Sequence, residues 1–255
     1  AAAAESDPQS FEALYGRARA QEALSDVEGA MKSVNQALAL KQDAPDALAL
    51  KGALLLQSDQ AAEAAVVLEK ARALAPDNEV VHTYLPAAYI ALKDLGKAES
   101  AARDALKHMP ASPQAHLTLA LVLVGREKPD EAETVLRQGL EVAPEDPLLP
   151  LRLAEMLAMQ GKRLEEAVQL ADRSVELERG DGSGDLIAAM ALRRLGREDD
   201  AISRLRDAAT AHPRNPRLWM TLAAVHRAAG DEEEAARAAA MAFRVAPRRR
   251  VRTAP

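Results

Sequence analysis

The apolar positions of this chain fall in long stretches rich in Ala and Leu. Nowhere do they form the short alternating runs of Val, Ile, Thr and aromatic residues that a sandwich or barrel needs. Ala, Leu, Glu and Arg dominate, and these are strong helix formers, so the pattern predicts an all-α protein. The pattern is also periodic. Ala30, in "SDVEGA", recurs in the same setting at Ala64, Ala98, Ala132, Ala167, Ala201 and Ala235, at steps of 34, 34, 34, 35, 34 and 34 residues. Seven places after each alanine stands a small residue: Ala37, Ala71, Ala105, Gly139, Ser174, Ala208 and Ala242. Twelve places after it stands Pro76, Pro110, Pro144, Pro213 or Pro247, with Gln42 and Arg179 as exceptions, and Pro8 fits the slot of a preceding unit.

These slots describe a unit of two helices. The small residue lets the second helix approach its neighbours, and the proline ends that helix because it has no N–H to donate. Ser112-Pro113, Asp146-Pro147 and Asn215-Pro216 then cap and start the next helix. The reading gives seven units, 11–44, 45–78, 79–112, 113–146, 147–181, 182–215 and 216–249, after a segment 1–10 that reads as the tail of a preceding helix or unit. A basic tail, 250–255, follows. The one extra residue lies near Arg163. Pro86, midway along the first helix of its unit, should kink that helix or cost it a hydrogen bond.

The stretch from Pro216 to Arg249 carries Trp219, Leu222, Ala223, Gly230, Ala235 and Pro247 at telling positions, and His116 to Asp146 is nearly as good. On these residues the chain resembles the tetratricopeptide repeat family. The resemblance implies a right-handed superhelical solenoid of antiparallel helix pairs whose first helices line a concave face, and a protein-binding scaffold. It implies ligand-facing positions at Leu56, at Thr83, Ala87 and Ile90, at Leu117, Leu121 and Val124, and at Leu151 and Glu155. Further along come Met190, Arg193 and the adjacent Arg194, then Met220 and Arg227. Ala49, Ala53, Ala158, Leu186 and Ala224 share these slots. The middle of this face is apolar and its C-terminal end gains arginine, so it should hold an apolar segment of a protein partner, with Arg meeting acidic residues. The competing reading packs several of these side chains between neighbouring first helices. The Lys and Asn with which heat-shock-chaperone repeats clamp a carboxylate are missing from these slots.

Composition narrows the remaining choices. The chain has 255 residues and a formal net charge of −6, which argues against nucleic acid as the main ligand. It has no Cys, hence no disulfide or thiol chemistry, and no apolar run near the ~20 residues of a membrane span. Arg248, Arg249, Arg250 and Arg252 read as a solvated tail. "RGDGSGD", 179–185, lacks the context of a phosphate loop and the carboxylates of a calcium loop. It reads as a joint in which glycines end one helix and Asp185 caps a shortened helix from Leu186. His82 and His116 share a slot in adjacent units and could approach each other, but packing is the simpler role. No catalytic, cofactor or metal constellation stands out, so an enzyme is not expected. With 24 Arg against 9 Lys and abundant Ala, the composition suggests a bacterial source. The expected role is a scaffold in envelope assembly, such as exopolysaccharide export, pilus or secretion machinery, in the periplasm or at the envelope, its ends covered by further repeats or subunits. The alternatives are a chaperone shielding an apolar segment of a secreted substrate and a regulatory domain of a longer enzyme. The start without Met reads as a mature form or a fragment, and Ala1–Ala4 as native or placeholder residues.

Overall fold

The computed structural model describes residues 7–178 and 180–246. Among them are fourteen α-helices and no strand. They are α1 Phe11–Ala23, α2 Val27–Leu40, α3 Pro45–Gln57, α4 Ala61–Leu74, α5 Glu79–Ala91, α6 Leu95–His108, α7 Pro113–Gly125, α8 Pro129–Val142, α9 Leu148–Gln160, α10 Leu164–Leu177, α11 Ser183–Arg194, α12 Glu198–Ala211, α13 Pro216–Ala228 and α14 Glu232–Val245.

The periodic residues explain the pairing. All seven alanines of the first slot, Ala30 through Ala235, are fully buried, and the seven small residues that follow them are buried too. A larger side chain at either slot would hold the second helix off its partner. Gly52 takes the same principle further. A Cβ there would lie 2.4 Å from Leu68 Cγ, so α3 and α4 touch almost backbone to side chain. Where proline follows, α4, α6 and α12 stop two residues before Pro76, Pro110 and Pro213. Ala75, Met109 and His212 between them leave the helical region, as the ring of a following proline demands. Pro247 and Arg179 lie outside the described residues.

A further periodicity lies in the backbone. Each pair turns on a residue in the left-handed region at one fixed place: Ser25, Asp59, Lys93, Glu127, Gly161, Gly196 and Gly230, with φ between 58° and 82°. The extra residue of the fifth pair is absorbed here, by a second left-handed residue, Arg163, at φ 47°. The expected caps also form. Ser112 Oγ accepts from Ala115 N, Asn215 Oδ1 accepts from Arg217 N, and Asp146 Oδ1 accepts from Leu148 N and Leu149 N. Pro86 does not break α5, which runs unbroken through it with the ring buried; only the hydrogen bond that a donor at 86 would make is missing.

The described chain divides into two compact units, 1–135 and 136–255. In the first, α1 to α7 pack as successive pairs, with first helices also touching alternately, α1 on α3, α3 on α5 and α5 on α7. Its core is built from Leu48, Leu55, Leu68, Val81, Leu85 and Val122, with a second cluster around Val34, Leu50 and Leu54. In the second unit, α9 to α14 pack as successive pairs, with α9 also touching α11, and Leu186, Leu192, Leu205, Leu218, Leu222 and Val225 form the core.

The glycine stretch differs from expectation. α11 begins at Ser183, three residues before Leu186, and Asp185 is not its cap. Gly182, at φ 86°, closes a turn in which Asp181 Oδ1 accepts from Ser183 N and Ser183 Oγ, at 3.1 and 2.6 Å. Asp185 instead receives Arg204 Nε at 3.0 Å. The glycines serve packing as much as termination. A Cβ on Gly184 would lie 2.5 Å from Val175 Cγ2, and one on Gly182 would lie 2.8 Å from Leu218 Cδ1. Asn215 Nδ2 donates to the Asp181 carbonyl at 2.7 Å, which pins the joint from the next pair.

Candidate interaction surface

In the first unit the face to consider is carried by α3, α5 and α7. Ala49 and Ala53 of α3 are buried, and Leu56 is half-buried. On α5, Thr83 is exposed and donates its hydroxyl to the Glu79 carbonyl, while Ala87 and Ile90 are half-buried. α7 is the unusual element. Its thirteen residues contain no Asp, Glu, Lys or Arg, the composition of a helix buried all round. Leu119, Ala120, Val122 and Leu123 are indeed in the core. Leu117 is half-buried, but Leu121 and Val124 keep 61% and 49% of their surface in water. The sequence places three apolar residues on one side of α7, and the structure leaves that side open.

In the second unit the corresponding helices are α9, α11 and α13. Several positions here are closed to solvent. Leu151 is 9% exposed, and Ala158 and Leu186 are buried. Glu155 is tied to Arg152 Nη1 at 2.7 Å on its own helix. Met190 is half-buried, Arg193 is exposed, and Met220, Ala224 and Arg227 are exposed on α13. Arg194 is exposed and also bonded within the protein. Its Nη1 donates to the carbonyls of Ala158 and Met159 at 2.7 and 2.9 Å, closing the C-terminal end of α9 from α11. Leu148 and Met159, outside the slots of the repeat, are exposed as well; both lie on α9, at its first and penultimate positions. A cleft of about 300 Å³ runs between α9 and the glycine joint, lined by Leu148, Leu151, Arg152, Val175, Gly182 and Ser183.

Of the histidines paired by slot, His82 and His116 are both buried, each bonded to a backbone carbonyl. His82 Nε2 lies 2.7 Å from Pro76 O, and His116 Nδ1 lies 3.0 Å from Ser112 O. The ring stacked on His82 belongs to His108, at 4.4 Å between centroids. The arginine-rich tail lies outside the described residues.

Models of the tetratricopeptide repeat match residues 1–45, 55–122, 89–150 and 183–225. The chain belongs to the tetratricopeptide repeat family. Among solved structures, a tetratricopeptide repeat protein from Parabacteroides merdae superposes with TM-score 0.73 at 18% identity, covering 94% of this chain and 95% of that one. The structure titled as the functional characterisation of Pseudomonas aeruginosa pilF superposes with TM-score 0.68, also at 18% identity, covering 80% of this chain and 92% of that one. By sequence, anaphase-promoting complex subunit 7 of Dictyostelium discoideum is 26% identical over 178 residues, which is 69% of this chain and 30% of that protein. The match thus spans less than a third of the curated relative. An all-α tetratricopeptide repeat fold is an interaction scaffold for protein partners, and no described helix is long and apolar enough to cross a membrane.

Proposed function

We propose that the open side of α7 is a docking surface for an apolar segment of a protein partner, seated on Leu117, Leu121 and Val124 with Thr83, Ala87, Ile90 and Leu56 beside it. The observation that carries this is the exposure of Leu121 and Val124 on a helix with no charged residue to keep that side soluble by itself. In the second unit, Met190 and Met220 with exposed Arg193 and Arg227 offer an apolar surface edged with positive charge, suited to a partner with acidic residues. The same proposal assigns the scaffold to bacterial envelope assembly, in the periplasm or at the envelope. The excess of Arg over Lys and the Ala-rich composition support a bacterial source, and fractionation of the source cell tests the compartment. The named role of the Dictyostelium relative, a subunit of a larger complex, supports a scaffold rather than a catalytic reading.

The test uses Leu121→Asp, because that side chain is largely in water and the variant should fold; circular dichroism and a melting curve check this. Tagged wild type and variant are used to capture partners from the source cell, and captured proteins are identified by mass spectrometry. One partner held by wild type and lost with a folded Leu121→Asp chain is the expected result. A partner held equally by both chains moves the site away from α7 and overturns the proposal.

A further inference from the structure

We propose that His82, Asp104 and His108 form a binding site for a divalent late first-row transition-metal ion, zinc foremost, which joins α5 to α6. Asp104 and His108 stand four residues apart on α6 and therefore on one face of it, and His82 reaches them from α5. The donor atoms of the three side chains lie within 4.8 Å of one another. Asp104 is the centre of the group, with Oδ2 4.0 Å from His82 Nδ1 and Oδ1 3.6 Å from His108 Nε2. Donor atoms around a tetrahedral zinc sit about 3.3 Å apart, the edge set by bonds of ~2.05 Å, so these pairs need to close by less than ~1 Å.

The far side of each ring decides which atoms face the centre. His82 Nε2 is 2.7 Å from the Pro76 carbonyl, an acceptor only, so Nε2 carries the proton and Nδ1 presents a lone pair. His108 Nδ1 is 3.0 Å from Asp77 Oδ1, so it carries the proton there and Nε2 presents the lone pair. With both rings neutral, two nitrogen lone pairs and a carboxylate are gathered without a donor between them, an arrangement that a cation resolves. A histidine whose outer N–H is held by a carbonyl or a carboxylate is also the usual arrangement of a metal-bound imidazole, because that bond fixes the tautomer. Asp77 and Asp104 leave the cluster negative, which draws a cation in.

The rings lie nearly parallel, 17° between planes. In that pose the two lone pairs run side by side, and both rings cannot reach one ion. His82 is 3% exposed and bonded to Pro76, so it and Asp104 are the fixed ligands. His108 is the last residue of α6 with 28% of its side chain in water, and it rotates off the stack to complete the site. Two imidazoles and one carboxylate suit Zn²⁺, Co²⁺, Ni²⁺ or Cu²⁺ over Mg²⁺ or Ca²⁺, which favour all-oxygen shells. Three protein ligands leave a position for water.

The experiment uses the full chain freed of any histidine tag and stripped with a chelator. Zn²⁺ is titrated calorimetrically, and Co²⁺ by the visible absorption that a nitrogen- and oxygen-ligated tetrahedral ion gives. The expected result is one equivalent of metal per chain with a rise in melting temperature. Affinity falls at least ~100-fold in His108→Ala and Asp104→Asn and about 10-fold in Asp77→Asn, where only the outer bond is lost. His82→Ala opens a hole in the core and is not needed, since the other two ligands sit at the surface end of α6. His212→Ala should bind as wild type does. Absence of Zn²⁺ and Co²⁺ binding at ~100 μM metal overturns the proposal, as does binding that survives the double variant His108→Ala/Asp104→Asn unchanged.

Discussion

Four of the seven helix-pair turns hold a residue with a side chain in the left-handed region, Ser25, Asp59, Lys93 and Glu127, where the other three hold glycine. A Cβ in that region crowds the following carbonyl, while glycine adopts it freely at a cost in the entropy of the unfolded chain. The strain is the larger of the two, so Lys93→Gly should stabilise the chain by about 0.5–1 kcal/mol. Gly230→Ala is the converse. Nothing lies within 4 Å of a Cβ placed there, so any loss reports the backbone alone, and about the same magnitude is expected. Urea midpoints of the two variants check both signs. Glu99 poses an electrostatic question at the same scale. Burial pushes its carboxyl up, but hydrogen bonds from Lys128 and Arg103 and the charges of Lys128 and Arg126 outweigh it, and the group titrates below its ordinary 4.5. Arg103 Nε, Arg126 Nη1 and Lys128 Nζ all lie within 3.0 Å of its oxygens. A carboxylate whose folded pKa is depressed stabilises the fold above its unfolded pKa and loses that contribution as pH falls through the folded value. Glu99→Gln should therefore cost about 1–2 kcal/mol at neutral pH, allowing for the water around the three cations. The gap from wild type should close in acid, as pH falls below 4.5 and through the folded value. A variant equally destabilised at both ends of that range would show that Glu99 acts by shape.

Between helices, one close approach the sequence concealed is that of α10 and α11. Gly184 lies where a Cβ would press on Val175 Cγ2 at 2.5 Å and on the Ala171 carbonyl at 3.1 Å, and Ala171 is backbone that cannot turn away. Gly184→Ala should cost about 1–3 kcal/mol through the strain of an overfilled contact, measured as a fall in melting temperature. The contrast with the legible elements is instructive. Ala30 to Ala235 and the prolines after them could be read directly, because a helix that must touch its neighbour leaves a small residue at a fixed period, and a helix that must stop leaves a residue without a donor. The glycine stretch showed itself in composition too, but its role depended on what lay across from it. Gly184 looked like a terminator because Val175 and Ala171 are not its sequence neighbours. Asp185 looked like a cap because Arg204, which takes its carboxylate, lies on another helix. The candidate surface divides along the same line. Leu121 and Leu151 look alike in sequence, each in a first-helix slot of its unit. One is open and the other closed, because burial is set by neighbours that the sequence does not name. Arg194 looked free for the same reason, since the carbonyls it holds belong to α9. His108 gave a signal that could have been used, an Asp four residues before it on a helix face, but its partner His82 is supplied by the fold.

Within each unit, contacts join helices that follow one another along the sequence, and first helices also meet, as in α3 with α5 and α9 with α11. In such an arrangement stability is close to a sum of pair energies and nearest-neighbour terms, and a defect weakens what it touches. The Gly184→Ala variant is the means of seeing this. Its strain lies between α10 and α11, which in turn pack against α9 and α12. Opening of a segment governs the exchange of its amide protons, so hydrogen exchange followed by mass spectrometry should show faster exchange in α9 to α12. Peptides from α3 to α5 should keep wild-type protection. The same logic predicts that urea unfolding of the variant departs from a single cooperative transition, with helix signal lost over a broader range than in wild type. Uniform loss of protection along the chain, with one sharp transition, would mean that the pairs behave as a single cooperative body. The nearest-neighbour account would then be wrong, even though every contact it rests on is present.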